Sequence, residues 1–294
     1  MEPSAHRPAA GIFWQVMTGL NFVAVTAIVK YVGNDVPAAQ AAFLRYLLGL
    51  VFVIPMIRPI LQARLTRRQM TLFGVRGVLH SGAVILWFFA MTQITIAEVT
   101  AMNYLAPIYV TLGAALLLGE KIAARRVLAI VVALIGALII LRPGFRELSP
   151  GHIAMLGTAL LFAGGYLIMK VMSSEVNAAV VVGMLSLFVT LGLAPFAWVV
   201  WVPVTMEQVL WLFLVAVFAT AGHYTMTLAF AAAPLAVTQP VTFLQLIWSV
   251  LLGAAFFNEA IDGWVVIGGG LIMAAVSFIA WREHVVKKRL EAMG

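Results

Sequence analysis

The sequence predicts an all-α polytopic membrane protein whose ten transmembrane helices form two inverted five-helix repeats. The first observation is composition: the 294 residues are 64% hydrophobic and 10% charged, whereas soluble domains are about 45–50% apolar and about 25% charged. The second is the stretch 208–258, which contains no Asp, Glu, Lys or Arg and is longer than the ~20 residues that one span needs. The third is an internal repeat.

The apolar segments define the ten predicted spans, because Gly, Pro, Asn and basic residues separate them. The spans are 11–31, 38–57, 70–91, 96–118, 124–142, 151–172, 177–200, 208–228, 234–256 and 262–281. A polar stretch from Arg142 to Gly151 leaves five spans on each side of it. The predicted halves are therefore residues 1–146 and 147–294, which together form one integral transport domain.

The internal repeat is clearest in the segments 90–121 and 229–260, which end on Glu120 and Glu259. At the shift of 139 that superposes these glutamates, no gap is needed. The matching residues include Ala97 and Ala236, Leu105 and Leu244, Leu112 and Leu251, and Ile122 and Ile261. Since each half has an odd number of spans, the second half is expected to enter the membrane from the opposite side, as in many secondary transporters.

Basic residues predict the orientation, because Lys and Arg collect on the cytoplasmic side of a membrane protein. With a cytoplasmic N-terminus, the opposite side holds only Lys30, Arg142 and Arg146. Both termini are therefore expected in the cytoplasm. The net charge of +7 is explained by these topology signals, and no nucleic-acid partner is predicted.

Enzymatic motifs are absent from the sequence. It contains no His-Glu-x-x-His, no Gly-x-Ser-x-Gly and no P-loop. Its five histidines are scattered, with no pair at the spacing of metal ligands, and there is no Cys. We expect no catalysis, no metal and no cofactor.

The third span carries an ionisable residue, His80, near its middle. Arg76, His80, Val84 and Trp87 follow helical spacing and share one face. Because such groups are costly in a membrane unless they are satisfied, the face either lines a water-filled cavity or holds a histidine bonded to a neighbouring backbone carbonyl. Arg76, nearer the cytoplasmic end, is expected to extend to the lipid headgroups.

Polar stripes on the fourth and ninth spans must face protein or water. They either line a cavity or join packed helices through hydrogen bonds. The stripe residues and their aromatic neighbours are Thr100, Asn103 and Tyr104, and Thr238, Thr242, Phe243, Gln245 and Trp248. Further candidates for a cavity wall on other spans are Thr18, Asn21, Phe162, Tyr166, His223 and Tyr224.

Three charged residues have open roles. Arg45, seven residues into the second span, either binds a carboxylate or extends towards the outer surface. Glu120 and Glu259 are expected to cap their helices or pair with nearby basic groups, with proton coupling as the alternative.

The helix endings Leu118-Gly119-Glu120-Lys121 and Phe257-Asn258-Glu259-Ala260, with the five-plus-five pattern, resemble the EamA-type branch of the drug/metabolite transporter superfamily. The segment from Trp14 to Lys30 is similar to the first helix of that family, and Arg45 resembles the arginine of its second helix. The aromatic-rich spans look like the YddG-type exporters of aromatic amino acids. Asn258, in place of a glycine, departs from the family pattern.

The resemblance implies a transporter in the bacterial inner membrane that exports small organic solutes by alternating access, and aromatic or apolar amino acids are the expected solutes. The alternative is efflux of many hydrophobic drugs or metabolites. Its partners would be the solute and the lipid bilayer, and a monomer is possible because one copy can form a complete pathway. The expected solute-binding residues are His80, Trp87, Asn103, Tyr104, Thr242, Phe243, Gln245 and Trp248.

Overall fold

The computed structural model describes residues 8–118, 124–145, 147–172, 175–233 and 235–291, and its regular elements there are helices. They are α1 (Pro8–Val32), α2 (Ala38–Gly49), a 3-10 helix (Leu50–Met56), α3 (Ile57–Gln62), α4 (Arg67–Gln93), α5 (Ile96–Asn103), α6 (Ala106–Leu118), α7 (Ala124–Leu141), α8 (Pro150–Met172), α9 (Ala178–Val199), α10 (Met206–Ala232), α11 (Leu235–Phe257) and α12 (Gly263–Glu291). This architecture confirms the all-helical class.

Nine helical segments in the described ranges are long and apolar enough to cross a membrane. One of them joins α2, the 3-10 helix and α3 over Ala38–Gln62. The prediction of one continuous helix over 96–118 was wrong, because that segment forms two short helices, α5 and α6.

The break between α5 and α6 lies at Tyr104 and Leu105. Their backbone N–H groups donate to carbonyls only three residues back, at 3.3 Å to Ala101 and 3.1 Å to Met102. Pro107 favours the break, because it has no N–H group and its ring clashes with the carbonyl four residues earlier in a continuous helix. Proline fits well in the first turn of a new helix, so α6 begins at Ala106.

The halves interlock, because the helices of one half pack on those of the other. The main pairs are α1 with α10, α4 with α8, α7 with α12, α1 with α11, and α2 with α9. At the α7–α12 crossing, a Cβ atom added to Gly268 would lie 2.5 Å from the carbonyl oxygen of Gly136, and one added to Gly136 would lie 2.6 Å from that of Gly268. Both positions need glycine because the two backbones are in contact.

The start of α4 is repeated at the start of α10. Thr66 caps α4 by accepting from the Gln69 N–H, while the Gln69 side chain accepts from the Thr66 N–H. Thr205 and Gln208, both 139 positions later, form the same capping box on α10. Such reciprocal bonds satisfy two orphan donors of a helix start. Both helices have 27 residues, so the repeat of the sequence is also a repeat of local structure.

Candidate functional site

His80 lies inside the bundle, 7% exposed, and bonds to a residue of α2. Its Nε2 atom is 2.8 Å from the hydroxyl oxygen of Tyr46. Its ring centre is 4.9 Å from that of Phe162 on α8. The histidine is therefore held by a hydroxyl and a ring from two neighbouring helices.

An aromatic row continues from this histidine along α4 and α8. The ring of Phe162 is 6.1 Å from that of Trp87 and stacks on that of Tyr166 at 6.0 Å. The indole Nε1 of Trp87 is buried and has no hydrogen-bond partner in the described part of the chain. Because buried polar groups are normally bonded, this N–H group is a candidate donor to a solute.

Arg76 is buried, at 4% exposure, so the expectation that it extends to the headgroups was wrong. One guanidinium nitrogen donates to the carbonyl of Val181 on α9 at 3.2 Å, while its Nε atom is buried and makes no hydrogen bond to the residues described. The reason for the burial is tertiary: α9 packs against α4 and encloses the side chain that an isolated helix would direct outward.

Two further basic residues face the same region. The Arg45 guanidinium lies 3.9 Å from the centre of the Tyr46 ring, a cation–π contact. His223 of α10 is exposed, although its ring is 5.3 Å from that of Phe22 and within electrostatic range of Arg45 and Arg76. The His223 ring is therefore accessible while it lies beside Phe22.

These residues form one group, which we call the basic aromatic cluster. Arg76, His223 and Arg45 are all within electrostatic range of His80, which links the basic members. The cluster consists of Arg45, Tyr46, Arg76, His80, Trp87, Phe162, Tyr166 and His223.

A second group of predicted residues lies where α1 and α5 meet α11. The Tyr104 hydroxyl donates to the carbonyl of Thr242 at 2.9 Å. The Gln15 amide donates to the Thr242 hydroxyl at 3.0 Å. Asn103 has a buried side-chain oxygen, and Trp248 a buried indole nitrogen, that lack partners among the described residues. This junction is held together by polar contacts and still has free hydrogen-bonding groups.

Two of the predicted threonines form hydrogen bonds between packed helices. This was one of the two interpretations of the polar positions that the sequence left open, the other being a cavity wall. Thr18 bonds to Thr225 of α10 at 3.0 Å, and Thr100 bonds to Ser249 of α11 at 2.7 Å. The hydroxyls of Thr18 and Thr100 are therefore occupied between helices, and Thr238 is fully buried.

The remaining predicted residues are dispersed. The Asn21 amide donates to the carbonyl of Met17 in its own helix at 2.7 Å. Gln245 packs on α1, since its Cβ atom is 3.3 Å from a Cβ added to Gly19, and Phe243 packs against Gly270 of α12. Tyr224 is 66% exposed. The structure does not bring these four residues together.

Glu259 follows α11 and joins three helices. Its carboxylate lies 2.6 Å from the Nζ atom of Lys30 on α1 and accepts from the N–H group of Ile96, the first residue of α5, at 3.0 Å. Asn258, just before it, has a φ of +54°. Glycine and asparagine are the residues that commonly occupy this left-handed position after a helix, which explains the departure from glycine in the helix ending. The predicted counterpart, Glu120, lies outside the described residues.

Three further polar contacts join a residue of the first half to a residue of the second, and each lies at or near the end of a helix. His152 Nε2 of α8 is 3.1 Å from a carboxylate oxygen of Glu98 on α5. Arg142 pairs with Asp262, and the Gln40 side chain exchanges two hydrogen bonds with the backbone of Val202. We call these contacts, with Lys30–Glu259, the Lys30-end network. The opposite end has an exposed contact between halves, from Arg68 to Glu175 at 2.8 Å.

Sequence reasoning missed several of these residues. Tyr46 and Gln15 were not singled out, and no periodicity in the sequence marks either of them. The gathering of Arg45, Arg76 and His223 was also missed, because they lie on three helices. One signal was available: acidic residues are absent from 36–97 and 148–174, so no carboxylate of α2, α4 or α8 can neutralise these cations.

The fold and these sites define a polytopic membrane protein of the transporter class. The model of the EamA-like transporter family matches residues 9–142 and again residues 149–281. The chain belongs to the EamA-like transporter family. The double match covers both halves of the chain.

Known relatives are transporters of different solutes. The chain is 29% identical to a riboflavin transporter of Rhizobium johnstonii, over 96% of this chain and 94% of that protein. It is 25% identical to the pseudopaline exporter CntI of Pseudomonas aeruginosa, over 90% of this chain and 94% of the exporter. A solved crystal structure shares the fold, with a TM-score of 0.62 at 18% identity, over 93% of this chain and 98% of that one.

Proposed function

We propose that this protein moves a small, flat aromatic solute across the membrane by alternating access and binds it at the basic aromatic cluster. The observation that carries the proposal is the aromatic row of Trp87, Phe162 and Tyr166, with the unpartnered indole N–H at one end. Aromatic walls with a few fixed polar groups are typical of sites for small organic ligands. Offset and edge contacts between rings supply the affinity.

Two kinds of solute suit this wall. Aromatic amino acids, exported as by the YddG-type transporters, are the solutes predicted from the sequence. A heteroaromatic compound is the second candidate, which the name of the riboflavin transporters supports. Both present a flat ring to Phe162, so the same site serves either.

The proposed architecture is a pair of inverted five-helix repeats, in which α5 and α6 together form the fourth of ten spans. The repeated capping boxes and the two family matches support a duplicated unit. Five spans in each half place the two units in opposite orientations. In the proposed orientation both termini are cytoplasmic, and the Lys30-end network lies on the outer side of the bacterial inner membrane.

Alternating access then requires the Lys30-end network to open. The four contacts of that network join residues of the first half to residues of the second. In the proposed cycle, these contacts would close the outer side. Opening that side would break these contacts and bring the halves closer at the Arg68 end, where Arg68 and Glu175 already pair, while the solute stays at the cluster between the two ends.

The test is counterflow into proteoliposomes that hold only this protein. Vesicles preloaded with unlabelled tryptophan, phenylalanine or riboflavin should take up the same labelled solute saturably. Phe162→Ala should reduce uptake about tenfold, because it removes the central ring of the row. Phe196→Ala is the matched control, since Phe196 is 57% exposed.

Two results would contradict the proposal. One is the absence of exchange for every aromatic solute with folded, inserted protein. The other is an equal effect of Phe162→Ala and Phe196→Ala on uptake, which would show that transport does not depend on the aromatic row.

A further inference from the structure

The two arginines of the basic aromatic cluster, Arg45 and Arg76, carry positive charge, and the described part of the chain pairs neither of them with a carboxylate. His80 and His223 lie in the field of the same two arginines. The polar neighbours are the hydroxyl-bearing Tyr46 and Tyr166, and these carry no charge when protonated.

The sequence explains why none of the described carboxylates lies at the cluster. The described parts of α1, α2, α4, α8, α9 and α11 contain no Asp or Glu, and α10 has only Glu207, in its first turn. The other described carboxylates near spans have partners elsewhere. Glu98 contacts His152, Glu259 contacts Lys30, and Asp262 contacts Arg142.

A buried cation without a counter-charge is costly, because the interior solvates charge poorly. Arg76 is the strongest case: it is 4% exposed and its Nε atom has no partner among the described residues. Its one protein acceptor is the carbonyl of Val181. Arginine offers a planar fork of donors that matches a carboxylate, so an anion would satisfy both the charge and the unused donor.

We infer that the solute carries a carboxylate, and that the arginines of the basic aromatic cluster bind this group while the aromatic row holds the ring. This inference rests on the proposed function and narrows its solute to aromatic carboxylates. The two parts of the site are adjacent, because the ring centre of His80 is 4.9 Å from that of Phe162 and the Arg76 Cγ atom is 3.9 Å from a Cβ atom added to Gly165, the neighbour of Tyr166 on α8. One small molecule that carries a ring and a carboxylate would contact both parts.

The experiment uses three probes that share an indole ring and differ in charge. They are indole-3-propionate, which has only a carboxylate, tryptamine, which has only an ammonium group, and tryptophan, which has both. Binding to the purified full-length protein in detergent is measured from the shift of its thermal unfolding midpoint. We expect indole-3-propionate and tryptophan to bind at least about tenfold more tightly than tryptamine, the size expected for one charge-assisted contact.

Variants of Arg76 then test whether the cluster causes the preference for a carboxylate over an ammonium group. Arg76→Gln should bring the dissociation constants of indole-3-propionate and tryptamine to within about threefold of each other, and Arg76→Lys should keep most of the difference because it keeps the charge. Arg64→Gln is the control, because it removes a charge at an exposed position between α3 and α4. Each variant is first checked for a single elution peak and a cooperative unfolding transition.

The possible results separate the two proposals. Equal binding of tryptamine and indole-3-propionate to the unmodified protein would overturn the carboxylate inference and leave aromatic transport standing. An unchanged preference in a folded Arg76→Gln variant would overturn the assignment to the cluster. Binding of none of the three indoles, together with no counterflow of any aromatic solute, would overturn both.

Discussion

The Glu259 carboxylate and the Lys30 ammonium group, 2.6 Å apart, connect helices from the two halves of the chain. The lysine also donates to the carbonyl of Ile94 at 2.7 Å. The glutamate also accepts from the first N–H group of α5, where the positive end of the helix dipole favours a negative charge. One carboxylate thus holds α1, α5 and α11 together, and its loss affects all three helices.

Glu259→Gln should open the Lys30 end. The chain contains no Cys, so a single Ala41→Cys substitution gives one labelling site. Ala41 is 4% exposed and lines a narrow cavity of about 10 Å³ beside α1. Because the closed state loses charge-assisted bonds worth about 1.5–3 kcal/mol, labelling of Cys by a membrane-impermeant maleimide should become about tenfold faster.

The control for this measurement is Glu147→Gln, which removes an exposed carboxylate without touching α1, α5 or α11. It should leave the labelling rate unchanged. Equal labelling rates in Glu259→Gln and the parent would show that this contact does not limit access at the Lys30 end.

Glu175, in the turn between α8 and α9, should make the protein less stable when the pH is lowered into the acid range. Hydrogen bonds from Arg68 and Gln69 lower the pKa of Glu175 from its ordinary value of 4.5. A lowered folded-state pKa means that the unfolded chain binds the proton first, so the contribution is complete above pH 4.5 and is lost as the pH falls through the lower folded value. The unfolding midpoint should therefore drop on acidification, and Glu175→Gln should reduce the drop. An identical acid profile in both proteins would contradict the assignment.

Gly268→Ala should destabilise the protein far more than Gly263→Ala. The new Cβ atom at 268 would lie 2.5 Å from the Gly136 carbonyl oxygen, whereas one at 263 meets nothing within 4 Å. Since a backbone oxygen cannot move aside cheaply, the first change should cost about 1–3 kcal/mol. The second should stay within about 0.5 kcal/mol. Thermal unfolding in detergent measures both, and equal midpoints would show that α7 and α12 separate easily.

Tyr46→Phe should reduce stability by about 1–3 kcal/mol, because it leaves a buried His80 nitrogen without its partner. Adding His80→Leu should recover part of the loss, since removing both partners of a buried hydrogen bond costs less than removing one. Unfolding midpoints of the parent, the two single variants and the double variant form a double-mutant cycle that measures the interaction between the two side chains. Additive losses would mean that the two side chains do not interact.

Much of the fold follows from the sequence, because apolar runs of span length have few other structures available to them. The break in the fourth predicted span does not follow from hydropathy, since the segments on both sides of Tyr104 are mostly apolar. Pro107 was compatible with a kinked continuous helix or with a new start. The tertiary hydrogen bond from Tyr104 to α11 contributes to the broken form.

The site was predictable only in part. His80, Trp87, Phe162 and Tyr166 were identified because polar and aromatic residues on apolar helices are conspicuous. Arg76 was misplaced because its burial depends on α9, a neighbour that helical spacing cannot show. The positions of Thr18 and Thr100 were equally compatible with a cavity wall and with helix contacts, and only their partners on other helices decide the matter.

The uncompensated positive charge of the basic aromatic cluster also has an electrical consequence. His80 lies about 20 Å along α4 from its start by helical rise, close to the middle of a bilayer core of about 30 Å. A positive potential at that depth repels sodium and hydronium ions, as an arginine does in selective water pores. In the proposed transporter, this positive potential would therefore oppose leakage of these cations along the solute path.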